Sequence, residues 1–131
     1  MLAILTPTID NPEFIRNQLQ YYLRVGFKHT VYIGDSSNDE NASSILHAID
    51  EVKGRVNVIY ERCPGANETV AMFELAKKVQ EPYVAFCGDD DFFLPAGLDK
   101  SISYISEHPD YSLVHGKMYL CSLADGGQDG S

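Results

Sequence analysis

Short apolar runs alternate with stretches of helical periodicity along the whole chain. LAILT (2–6) is a strand-like run that stops at Pro7. Asn11-Pro12-Glu13 has the make-up of a helix start: a cap residue, a proline in the first turn and an acid near the positive end of the dipole. Ile15, Leu19, Tyr22 and Leu23 follow at helical spacing, and Gly26 ends the pattern. TVYIG (30–34) predicts a second strand. The polar stretch DSSNDENASS (35–44) leads into Ile45, Ile49 and Val52 on one helical face, closed by Gly54. RVNVIY (55–60) alternates like a strand, and RCPGAN (62–67) is a loop by its Pro and Gly. Met72, Leu75, Ala76 and Val79 mark a third helix, capped near Asn67 or Thr69. YVAFC (83–87) predicts a fourth strand, and Pro95 opens a fourth helix carrying Leu98, Ile102 and Ile105. SLVHG (112–116) and MYLCSL (118–123) are strand-like, and ADGGQDGS (124–131) reads as a flexible tail.

The order β-α-β-α-β-α-β-α-β predicts an α/β fold, an open and mostly parallel sheet in one unit over residues 1–123. Strands 1, 2 and 4 are apolar on both faces, which predicts helices on both sides. A length of 131 residues suits a single domain, and 44% hydrophobic with 22% charged content argues against disorder.

The net charge of −9 argues against a nucleic-acid surface, because phosphate-tracking surfaces are basic. No apolar stretch approaches the roughly 20 residues that span a bilayer, so no transmembrane segment is expected. Met1 runs directly into the first strand without a basic leader, and a cytoplasmic location is expected. Cys63, Cys87 and Cys121 match neither a zinc spacing nor a disulfide framework, and the four histidines form no HxxxH pair.

Chemistry concentrates where predicted strands end. Strand 1 ends in Thr6-Pro7-Thr8-Ile9-Asp10, strand 2 in Gly34-Asp35-Ser36-Ser37 and strand 4 in Gly88-Asp89-Asp90-Asp91. In open α/β sheets ligands sit beyond the carboxyl ends of the strands, so parallel strands would gather all three on one rim. Three adjacent carboxylates at the end of an apolar strand oppose one another, and a cation is the natural compensation. Neither GxGxxG nor GxxxxGK[ST] follows strand 1, which disfavours a dehydrogenase or a P-loop NTPase. Phosphate would then be neutralised by a hard divalent ion on oxygen ligands, Mg²⁺ or Mn²⁺.

Three motifs in order carry a resemblance. ILTPTIDNPEFIRNQLQYY, VYIGDSSND and PYVAFCGDDDFFLPAGL resemble the first strand, second-strand acidic turn and DxD-type motif of family 2 glycosyltransferases, over about residues 2–116. The resemblance implies a Rossmann-like GT-A three-layer sandwich, here an incomplete domain. It implies a nucleotide-diphosphate sugar donor, a UDP-sugar first among them, and a divalent metal, Mn or Mg. Pro7, Thr8 and Asp35 match positions on the nucleotide base. Asp90 matches the metal-binding acid and Asp89 serves the ribose or the metal; alternatively Asp89-Asp90-Asp91 is itself the DxD motif, which adds Asp91 to the metal-binding residues. Arg62 and Asn67 stand where the family carries Arg-Asn, at an offset spacing. The first acid of the commonest motif falls on Gly88, a departure. The family supplies its catalytic base from a later segment, which places the base outside this chain.

Plainer readings accompany each residue. Asp89–Asp91 could be acids at a helix N-terminus, Asp35 could cap a turn, and Thr8 could be a turn residue. Arg62 could be an ordinary surface side chain. A non-catalytic nucleotide-sugar-binding fragment and a metal-dependent phosphoryl-transfer domain of receiver-like topology are the rival functions. Lys117 is the feature that favours the latter.

Overall fold

A computed structural model describes residues 1–121. Four strands alternate with four helices: β1 (Leu2–Thr8), α1 (Pro12–Arg24), β2 (Thr30–Asp35), α2 (Asp39–Glu51), β3 (Asn57–Arg62), α3 (Glu68–Ala76), β4 (Tyr83–Phe86) and α4 (Pro95–Glu107). All strand pairs are parallel, in the order β3-β2-β1-β4. The fold is therefore the parallel α/β class that the alternation predicts, and Rossmann-like as the resemblance implies.

Every residue of β1 and β2 is buried, because each strand faces helices on both sides. Leu2, Ile4, Val31 and Ile33 pack with Ile15, Leu19 and Tyr22 of α1 and Ile45 of α2. On the other face Ala3, Leu5 and Tyr32 pack with Leu75 of α3. Gly34 permits that second contact: a Cβ there would stand 3.0 Å from Leu75 Cδ1 and 3.4 Å from Ala71 Cβ.

Two expectations are corrected. Among the described residues, β4 is covered on one face only. Tyr83 and Ala85 join the first cluster, but Val84 is 46% and Phe86 63% exposed, since α3 lies over β1 and β2. Residues 112–121 form no strand; Leu113, Met118, Tyr119 and Leu120 stand exposed without a layer to pack on. Residues 122–123 of the proposed last strand and the tail 124–131 lie outside the described residues.

Sheet order also separates the fold classes. The chain runs β1, β2, β3 in one direction and returns to place β4 beside β1, the order of a dinucleotide-type half. A receiver-like sheet would place β3, not β4, on that side of β1. The receiver-like rival is overturned by this order.

Candidate functional site at the carboxyl rim

Parallel pairing brings the four strand ends to one rim, in the sequence Arg62, Asp35, Thr8 and Asp89. The turn of direction lies between β1 and β4, where such sheets form their ligand crevice. Pro7 and Thr8 pair in register with Gly34 and Asp35. Beyond β4, the Cys87 amide still donates to the Leu5 carbonyl (3.0 Å), and the chain then turns at Gly88–Asp91.

That turn is anchored from two directions. The Thr8 hydroxyl donates to Asp89 Oδ2 at 2.7 Å, and Asn11 Nδ2 donates to the same oxygen at 3.3 Å. Asn11 occupies the N-cap of α1 but makes no capping bond with its side chain. The fully buried Gln18 of α1 donates through Nε2 to the carbonyls of Gly88 (2.9 Å) and Asp91 (2.8 Å). Tyr21 donates to the Phe93 carbonyl at 3.2 Å, and Phe92 stacks edge-on against Tyr21. Burial pushes the Cys87 thiol up to about 12, so it stays protonated behind the turn.

Asp89 is thus half-buried and held, whereas Asp90 and Asp91 are exposed. Both reach back over Gly88, whose added Cβ would stand 2.9 Å from Asp90 Oδ1 and 3.2 Å from Asp91 Oδ2. Glycine at this departure position leaves the space those carboxylates occupy.

On the β2 side, Asp35 is fully buried. Its Oδ1 accepts from the Ser37 amide (2.8 Å) and its Oδ2 from the Tyr60 hydroxyl (2.6 Å). Arg62 donates to the Asp35 carbonyl at 3.1 Å and lies 3.7 Å from the carboxylate. Burial, then the Asp35 contact, raises the Tyr60 phenol above its ordinary range. Asp35 therefore presents Tyr60 and Arg62 at the rim rather than its own oxygens. Asn67 caps α3, its side chain accepting from the Val70 amide at 2.9 Å.

Asp10 ties the two sides together. It adopts φ 55°, a left-handed conformation. Its amide donates to Ser37 Oγ (2.8 Å), and its Oδ1 accepts from the Asn38 amide and Asn41 Nδ2, both at 2.9 Å. These bonds hold the Asp10 carboxyl below its ordinary range.

No protein-family model and no curated protein matches the sequence. Solved structures share its architecture, two of S. aureus TarS among them. S. aureus TarS, a glycosyltransferase, superposes with a TM-score of 0.67 at 18% identity, covering 82% of this chain and 20% of TarS. The TarS 1–349 structure gives 0.69 at 18% identity, covering 82% of this chain and 33% of that one. The fold is glycosyltransferase-like. The chain spans a fifth to a third of the lengths it matches.

Among the described residues no three His, Cys, Asp or Glu side chains form a ready-made metal cage. A hard divalent ion bound through one or two carboxylates and substrate phosphates needs none. The exposed oxygens of Asp90 and Asp91, beside the held Asp89, fit that mode of binding; they do not fit a structural zinc.

Gln18, Asn11, Asp10 and Tyr60 are the site residues that sequence reasoning missed. Gln18 carries a readable signal, a polar residue inside the stripe Ile15, Leu19, Tyr22. The other three depend on partners 25 to 78 positions away.

Proposed function

We propose that this chain binds a nucleotide-diphosphate sugar, a UDP-sugar in the first instance, at the rim between β1 and β4. Within a complete enzyme it would serve transfer of the sugar to an acceptor hydroxyl. The observation that carries the reading is Asp89, held by Thr8 and Asn11 at the point where strand order reverses, with Asp90 and Asp91 exposed beside it.

Each residue has a role in this reading. Asp90 holds a divalent Mn or Mg ion, with Asp91 as the adjacent carboxylate. Asp89, fixed by its two donors, faces the ribose or the metal. Pro7 and Thr8 form the floor between base and diphosphate. Asp35 orients Tyr60 and Arg62, and the Arg62 guanidinium supplies positive charge on the base side; Asn67 marks the far end of the rim. When bound, the metal neutralises charge that develops on the departing diphosphate. Deprotonating the acceptor needs a base within hydrogen-bond reach, and the resemblance assigns it to a later segment.

Calorimetry of UDP binding with Mn²⁺ and with EDTA tests the proposal. Binding should need the metal, because two phosphates and three carboxylates repel without a cation between them. Equal affinity in EDTA, or an Asp90→Asn variant that binds like the parent, would overturn it.

A further inference from the structure

We infer that Gln18 is a positioning residue that sets the metal-dependent part of donor binding by fixing the turn 88–91. The inference rests on the donor-site reading above and adds a residue that no motif assigns.

The position is one where an apolar side chain would be expected. Gln18 is fully buried on the face of α1 that carries Ile15, Leu19 and Tyr22. Burying a carboxamide is unfavourable unless its hydrogen bonds are made. Here the amide's two hydrogens meet two carbonyls, those of Gly88 and Asp91, at the two ends of the acidic turn. Its oxygen faces the Thr6 hydroxyl of β1 at 3.5 Å. One side chain therefore links β1, α1 and the acidic loop.

The turn requires such a link. Its own closing bond, from the Asp91 amide to the Gly88 carbonyl, is 3.3 Å long. The carboxylates of Asp90 and Asp91 crowd over Gly88, and like charges favour a more open loop. Among the described residues, no Lys, Arg or His pairs with any of the three acids. Gln18 opposes that opening from behind, through backbone atoms, and leaves the carboxylate oxygens free for a ligand.

The test uses the full 131-residue chain, with UDP plus Mn²⁺ and metal-free uridine as probes and amide exchange over residues 86–94 as an independent readout. Gln18→Leu should weaken Mn²⁺-dependent UDP binding by about tenfold, the size of a lost hydrogen bond. Uridine binding should stay unchanged while the 86–94 amides exchange faster. Gln18→Glu donates one hydrogen bond when neutral and none when ionised. Its metal-dependent affinity should also fall below that of the parent, because at least one of the two carbonyl contacts is lost.

UDP–Mn²⁺ binding by Gln18→Leu within about twofold of the parent would overturn the inference, as would equal losses for uridine and UDP. A parent that binds UDP without regard to Mn²⁺ would sink the donor-site reading instead. Exchange then decides for Gln18 alone: faster exchange at 88–91 keeps the positioning role, and unchanged exchange removes it.

Discussion

The Thr8 hydroxyl lies 2.7 Å from Asp89 Oδ2, although 81 positions separate the two residues. The contact joins the ends of two neighbouring parallel strands and orients one of three adjacent carboxylates. A hydroxyl donating to a carboxylate contributes about 1.5–3 kcal/mol. Thr8→Val, which keeps the shape and removes the donor, should lower stability by about that amount in urea unfolding. Thr8→Ser should retain most of it.

Gly34 tests how α3 seats on the sheet. An added methyl would meet Leu75 Cδ1 at 3.0 Å inside a packed layer. Gly34→Ala should cost about 1–3 kcal/mol by overpacking. The double variant with Leu75→Ala should lose less stability than the sum of the two single losses, as contacting positions couple.

The buried Asp35 supports both the fold and the rim. Asp35→Ala leaves the Ser37 amide and the Tyr60 hydroxyl without their acceptor, which should cost about 1–3 kcal/mol in thermal or urea unfolding. Because Asp35 also holds Arg62, uridine binding should weaken in the same variant. Lost stability with unchanged uridine affinity would restrict Asp35 to the turn.

His29 should make stability fall in mild acid. Its ring is 8% exposed between Phe27 and Asp99, and among the described residues Nδ1 has no partner. Burial lowers its pKa below the ordinary 6.5, against the opposing pull of Asp99 and with a small push from the terminal ammonium. The unfolded chain therefore takes up the proton first as pH falls through 6.5. The neutral ring's stability is present above that pH and is lost progressively down to the folded pKa. Urea midpoints measured from neutral pH into mild acid should decline in this window, and His29→Leu should flatten the slope.

Much of the architecture was legible because β1, β2 and the four helices follow local rules: apolar runs buried on both faces, Pro12 and Pro95 opening helices, Asn67 capping one. The acidic rim was legible for the same reason, since parallel strands place their carboxyl ends together. Residues 112–121 misled because alternation describes a strand's faces but not whether a neighbour exists to pair with. Asp35 reads as a ligand by its place after β2. Its burial depends on Tyr60 and Arg62, which only the register of β3 brings beside it. Asn11 reads as a helix cap, but Asp89 lies close enough to claim its amide.

The single covered face of β4 gives the molecule an uneven resistance to opening. β4 has four residues and, among the described residues, hydrogen-bonds to β1 alone, while α4 buries only Leu98. The β3-β2-β1 body, with both central strands enclosed, should open less readily than this edge. Detachment of β4 and α4 would dismantle the acidic turn while that body stayed folded. A ligand bridging Thr8 and Asp89 would then protect the edge strand selectively, and occupancy would be read as slower exchange of the Tyr83–Phe86 amides with little change in those of β2.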